Sequence, residues 1–162
     1  MNLHLPNNSS VGINVTVYCR DGRAPIPKDA NISSTMSAIR AKGTKPELLM
    51  REILRKAKLL GYRQHLKNIP GRPDFAFPKQ KVAVFVHGCF WHGCRYCKLP
   101  LPKTHRPFWK NKIETNRARD VRKVRELRRL GWRAVTVWAC RLKTESGRER
   151  VVVRIKKSLN SS

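Results

Sequence analysis

The sequence predicts an α/β protein whose central strands are joined by a helix. Three observations carry this: the continuously apolar run Val82-Ala83-Val84-Phe85-Val86, a long basic helical pattern over 113–130, and a second strand pattern over 132–138 just after Gly131. A run apolar at every residue suits a strand covered on both faces. A strand, a helix and a further strand make a crossover that is normally right-handed and leaves its two strands parallel.

Taken in order, residues 1–32 read as a poorly ordered extension, punctuated by Pro6, Gly12, Gly22, Pro25 and Pro27, with Cys19 an isolated thiol. Met36 and Ile39 stand three apart, as on one turn of a helix. Thr44 and Glu47 have capping-box spacing, Pro46 suits a first helical turn and Gly61 a helix end. Leu49, Ile53, Ala57 and Leu60 would form the apolar stripe of that helix. Pro70-Gly71-Arg72-Pro73 is a rigid turn. Phe75 and Phe77 then alternate with smaller residues, as on a half-buried strand, and Pro78-Lys79-Gln80 turns the chain into the apolar run. On the helix over 113–130, Ile113, Val121, Val124, Leu127 and Leu130 would mark the buried face, with seven Arg and Lys residues elsewhere. Residues 148–160 are basic and fit either helix or strand.

Charge narrows the function. Lys and Arg number 36 against 10 Asp and Glu, a formal net of +26. Such self-repulsion strains a compact state unless a polyanion binds, so nucleic acid is the expected partner. No apolar run approaches the roughly 20 residues of a membrane helix, and the N-terminus lacks signal-peptide features. The expectation is a cytoplasmic protein with no membrane partner. Five cysteines in a reducing compartment favour metal over disulfides.

The stretch HGCFWHGCRYC, residues 87–97, concentrates the chemistry. Cys89, Cys94 and Cys97 are spaced x4 and x2, and the crossover brings Cys140 to the same sheet edge. Four thiolates can close a tetrahedral zinc site, which has no open position and is structural. The rival readings are free cysteines, a site in which His87 or His92 replaces one thiolate, or a redox Cys-x-x-Cys pair; Pro100 and Pro102 disfavour the helix that usually follows such a pair.

With ten acids in the chain, those near this stretch matter. Asp74 precedes a strand, and is either a turn residue or a metal-binding carboxylate. Asp120 falls between Val124 and Leu127 on the apolar side of its helix, where a carboxylate should be paired or working. Glu47 is a capping residue or a chemical one. His87 and His92 can take a proton from water near neutral pH. Phe90, Trp91 and Trp109 are either core rings or a wedge between base pairs.

PGRPDF at 70–75, HGCFWH at 87–92, FWKNKIETNRARD at 108–120 and LGWRAVTVWAC at 130–140 resemble the very-short-patch repair endonucleases, and Met36-Ser37-Ala38-Ile39-Arg40 also fits. The resemblance covers residues 33 to about 143. It implies a restriction-endonuclease-like fold: a mixed central sheet flanked by helices, with a structural zinc site. The organisation it implies is an endonuclease domain over 33–145 and a basic C-terminal segment over 146–162. It also implies Mg²⁺-dependent nicking of double-stranded DNA 5′ to the thymine of T·G mismatches left by deaminated 5-methylcytosine. The expected agent is a monomer near the nucleoid, with mismatch-repair proteins as further partners. By position, Asp74 resembles the metal-binding aspartate and His92 the catalytic histidine. His87, Glu47 and Asp120 match active-site positions, and Cys89, Cys94, Cys97 and Cys140 correspond to the zinc ligands. Several members have histidine at the place of Cys94. Val86 stands where threonine is frequent and would serve Mg²⁺ through its backbone carbonyl. Met36 and Ile39 would enter the DNA opposite Phe90, Trp91 and Trp109. The rival functions are a nuclease of the same fold with another DNA target and a zinc-containing DNA-binding protein without catalysis.

Overall fold

The computed structural model describes residues 43–161. Met36, Ile39, Cys19 and the expected extension lie outside these described residues. Helix α1 spans Lys45–Lys56, β1 Arg63–Gln64, β2 Phe75–Phe77, β3 Val82–His87, α2 Arg106–Arg129 and β4 Arg133–Trp138. A single turn of 3₁₀ helix, Ala139–Leu142, leads into α3, Glu145–Asn160.

The sheet has the order β1-β2-β3-β4. β1 with β2 and β2 with β3 are antiparallel, while β3 and β4 run parallel, with Val86 beside Val137 and His87 beside Trp138. The crossover expected from the sequence is therefore present, and α2 makes it. Cys140 follows β4 by two residues and lands beside the loop that leaves β3. β3 is fully buried at Val82, Ala83 and Val84 and opens at Phe85, Val86 and His87. The sheet edge that receives the histidines and cysteines is thus its more accessible end.

One core lies between the sheet and two helices. Met50, Ile53 and Leu54 of α1 and Val151 and Ile155 of α3 pack on Phe75, Phe77, Val82, Val84, Val135 and Val137. The stripe expected for α1 is rotated: Met50 and Leu54 are fully buried, Leu49 only partly, and Leu60 lies beyond the helix and is exposed. Ile53 belongs to both readings; Met50 and Leu54 sit three before and one after it on the same face. β2 is buried along its whole length rather than on alternate residues, with Tyr62 packed edge-on against Phe75 and Phe77.

On α2 the apolar pattern misleads. Of the five expected contacts only Leu127 is fully buried, while Val121 and Leu130 are exposed. The helix also begins at Arg106, with Pro107 in its first turn, seven residues earlier than the apolar spacing suggested. Asn116 and Asp120 also face inward, and a hydrophobic pattern could not trace these polar positions. The C-terminal segment is a helix despite Val151-Val152-Val153, because tertiary packing at Val151 and Ile155, one turn apart, outweighs the β preference of branched residues.

Candidate active site and metal centres

The four cysteines meet. Their sulfurs all lie within 4.8 Å of one another. Cys94 Sγ and Cys140 Sγ are 3.8 Å apart; zinc–sulfur bonds of about 2.3 Å in a tetrahedron put sulfurs about 3.8 Å apart. The donor set and the spacing therefore fit zinc. Local backbone bonds shape the loop: Cys94 N–H donates to Cys89 O at 2.9 Å, and Lys98 N–H to Cys94 O at 3.2 Å. Gly93 sits at φ +59°, and a Cβ there would come within 3.0 Å of Ile113, so the loop can turn against α2 only with glycine. Arg141 places its guanidinium 3.9 Å over the Tyr96 ring, tying the Cys140 segment to the loop a second time. Without a cation the thiols disagree. Burial pushes Cys140 far above the ordinary thiol range. Cys94 is held below it: burial opposes that, but hydrogen bonds from the Cys97 and Tyr96 backbone outweigh the burial. Four adjacent sulfurs cannot share negative charge until a cation balances it.

A second cluster joins β3 to α2. His92 Nδ1 lies 2.5 Å from Asp120 Oδ2, and His87 Nε2 lies 3.9 Å from the same oxygen. The two imidazoles stack with centroids 4.0 Å apart and planes 11° apart. Burial opposes ionisation of Asp120, but the His92 hydrogen bond and the nearby imidazoles more than offset it and hold the carboxyl below its usual range. An ionised carboxylate only accepts, so His92 Nδ1 is the donor and its Nε2 lone pair is left for chemistry. Burial, then the proximity of His92, pulls His87 down to about 4, so it is neutral at physiological pH.

A third cluster brings Glu47, Asp74 and His65 together, with one ligand atom from each within 4.8 Å of the others. Glu47 does cap its helix. Its Oε1 accepts from the Thr44 hydroxyl at 2.8 Å and its Oε2 from Gly43 N–H at 3.0 Å. The same buried carboxylate also lies 3.7 Å from His65 Nε2, so capping and a place in the site coexist. Asp74 reaches across the hairpin, where Oδ2 accepts from Val86 N–H at 2.6 Å. Burial, with Glu47's negative charge adding, pushes Asp74 up to about 6 although the Val86 bond pulls the other way. Two carboxylates and an imidazole, with one carboxyl reluctant to ionise, are a donor set suited to a divalent cation.

The rings form a fourth group. Phe90, Trp91 and Trp109 contact one another edge-on, with centroids 5.2 to 5.8 Å apart. All three are half-buried. Buried Asn116 donates to the Trp91 carbonyl at 2.9 Å, pinning the loop on which Trp91 and His92 follow one another. Sequence reasoning missed Asn116 and His65. Asn116 had a signal, since it lies one helical turn before Asp120. His65 had none, because only the pairing of two-residue β1 with β2 brings it to Asp74.

Comparisons with known proteins give the family. The family described as DNA mismatch endonuclease Vsr matches residues 26–98. The type II nicking enzyme V.XorIIP of Xanthomonas oryzae is 47% identical over 110 residues, covering 66% of this chain and 78% of that protein. The type II nicking enzyme V.NmeAIP of Neisseria meningitidis is 40% identical over 114 residues, 70% of this chain and 81% of its own length. The DNA mismatch endonuclease Vsr of Escherichia coli is 36% identical over 128 residues, covering 79% of this chain and 80% of that one. With a mixed sheet closed by helices, three clusters of metal-competent side chains and relatives matched over most of their length, the chain belongs to the Vsr family of DNA endonucleases.

Proposed function

We propose that the enzyme nicks double-stranded DNA on the 5′ side of the thymine in T·G mismatches, in a Mg²⁺-dependent reaction, with zinc held by Cys89, Cys94, Cys97 and Cys140 as a structural clip. The observation that carries the catalytic part is the 2.5 Å pair between His92, next to Trp91 on the loop that follows β3, and Asp120 of α2. Asp120 fixes the His92 tautomer, and His92 Nε2 takes the proton of the attacking water. Neutral His87, stacked on His92, limits how far that imidazole can turn.

Asp74, with the Val86 carbonyl and Glu47 near it, would hold the catalytic cation. That cation supplies stabilisation of negative charge developing on the phosphate oxygens. The Lys and Arg residues crowding α2 bind the backbone without reading sequence. Phe90, Trp91 and Trp109 serve as the wedge; Met36 and Ile39 would enter from the other side. A mismatched step is easier to unstack, so a rigid wedge discriminates by itself. Nicking of otherwise identical T·G and T·A duplexes with Mg²⁺ tests the reading. Cutting confined to T·G duplex is expected, and equal cutting of both would overturn mismatch specificity.

A further inference from the structure

We infer that His65 is a nitrogen ligand to the cation bracketed by Glu47 and Asp74, and that it makes this site favour Mn²⁺ over Mg²⁺. The inference rests on the proposed cation site at Asp74 and extends it to a residue which that proposal does not use.

The placement comes from backbone, not chance contact. His65 N–H donates to Asp74 O at 3.3 Å, closing the β1–β2 pair, so the imidazole and the Asp74 carboxylate spring from paired chain positions. His65 takes φ +51°, a posture L-residues rarely adopt, directly after β1. Its Nε2 lies 3.7 Å from Glu47 Oε2. That is too long for a hydrogen bond, so the ring nitrogen is not committed to Glu47. Glu47 is held by Thr44 and Gly43 and Asp74 by Val86, leaving both carboxylates fixed in direction. Bonds of about 2.1 Å to one cation put ligand atoms roughly 3 to 4.2 Å apart. The 3.7 Å pair falls in that range, and the limit of 4.8 Å on all three atoms asks for only a small contraction.

The chemistry of the set gives the preference. Oxygen-only sites suit Mg²⁺, whereas an imidazole donor raises affinity for divalent transition metals. Mn²⁺ is the member of that series that competes least for the four thiolates, so it reports on this cluster and spares the zinc site.

The test uses the full-length, zinc-loaded chain without DNA. Mn²⁺ and Mg²⁺ affinities are measured by calorimetry, and bound Mn²⁺ is probed by pulsed electron paramagnetic resonance for coupling to a directly bonded nitrogen. Wild type should show nitrogen coupling and bind Mn²⁺ more tightly than Mg²⁺. His65→Gln should lose the coupling and weaken Mn²⁺ about tenfold, with Mg²⁺ changed much less. Bound Mn²⁺ without nitrogen coupling, or coupling that persists in His65→Gln, overturns the assignment of His65. Asp74→Asn separates this from the underlying reading. If it binds Mn²⁺ as well as wild type does, or if wild type binds none at millimolar concentrations, the cation site at Asp74 fails and His65 with it. If Asp74→Asn loses Mn²⁺ while wild type shows no nitrogen coupling, only His65 falls.

Discussion

The cysteine cluster and the Glu47–His65–Asp74 cluster both gather ligands from distant parts of the chain, yet they are opposite kinds of site. The first takes three ligands from one nine-residue loop, 89–97, and one from the end of a parallel strand. Four sulfurs around one zinc would close a tetrahedron and leave no position for water. The second takes one ligand each from α1, from the residue after β1 and from the residue before β2, and all its atoms are oxygen or imidazole nitrogen. It is held by helix capping and strand pairing, bonds that the chain makes to itself. On the proposed reading, a metal in the first would be part of folding, and a metal in the second would arrive at a surface already built. Substitutions at the two should therefore fail in different ways.

The largest effect is expected where the metal and the fold are coupled. Cys140→Ser should lower zinc content and folded yield together, since the binding free energy of a structural zinc is on the order of 10 kcal/mol. Zinc analysis and thermal melting of the purified protein check this. A well-folded wild type that holds no zinc would remove the clip.

Next comes the open site. Asp74→Asn should reduce nicking by roughly 10³-fold or more, as expected for loss of a cation that stabilises the transition state. The variant should stay folded, and its affinity for ordinary duplex should change little, because phosphate contacts carry most affinity. A variant that folds and cuts at the wild-type rate takes Asp74 out of the chemistry. Together the two substitutions break the comparison if Asp74→Asn unfolds the protein or Cys140→Ser leaves it intact and inactive.

The contrast also explains what could be read from the chain. The apolar run of β3, the crossover and the four cysteines are legible because each rests on local spacing plus one topological rule. Helix α2 was half legible. Its charges and C-terminal stop are plain, but its inward face carries Asn116 and Asp120, so apolar periodicity started it too late and buried Val121 and Leu130 wrongly. The α1 stripe was misread because Leu49 and Leu60 suit a helix face as well as Met50 and Leu54 do, and only the sheet beneath decides between them. His65 was invisible: a two-residue strand has no pattern to read, and only its pairing with β2 brings His65 to Asp74.

The His92–Asp120 pair is a separate case, in which two side chains rather than a metal are tied together. His92→Ala should slow nicking by about 10²–10⁴-fold, the usual contribution of a positioned base. Asp120→Asn should act less, because it removes the carboxylate that fixes the tautomer while leaving the imidazole present. The ratio of the two rates, taken under single-turnover conditions, measures how much of the pair's effect is proton transfer. Equal losses would mean that Asp120 does more than orient His92.

Asp74 also gives a pH signature in protein free of divalent cations. Its folded value of about 6 stands above the ordinary 3.8. Below about 4 the carboxyl is protonated in both folded and unfolded chains and contributes no difference. As pH rises from 4 to 6 the unfolded chain releases this proton while the folded one keeps it, so stability falls, and above 6 the penalty is complete. Asp74→Asn should remove that fall, leaving the variant more stable than wild type at pH 7 and little different at pH 4. Denaturant melts at the two pH values read it directly. A wild-type and variant difference independent of pH would mean that Asp74 ionises as readily folded as unfolded.

The smallest expected effect concerns specificity, and it asks whether the ring group belongs with the rigid clip or with the reaction. Phe90 and Trp91 follow Cys89 of the proposed zinc clip and precede His92, the proposed base, so the clip would fix them relative to that base. They are neither core nor free: each is half-buried, and Trp91 is braced by edge contacts to Phe90 and Trp109. Opening a base step costs on the order of a few kcal/mol, less for a mismatch. A ring that enters the step therefore contributes to discrimination only the part of that difference it captures, about 1–2 kcal/mol or roughly tenfold in the T·G to T·A ratio. Trp91→Ala loses edge contacts of about 1 kcal/mol each, which should lower the melting temperature slightly and leave zinc content unchanged. Asn116 still holds the loop, because its partner is the backbone carbonyl of residue 91. The expected outcome is a folded, zinc-replete variant whose binding to ordinary duplex matches wild type and whose T·G preference is about tenfold weaker. Should that variant keep the full wild-type ratio, the rings are scaffolding for His92 and the mismatch is sensed elsewhere on the protein.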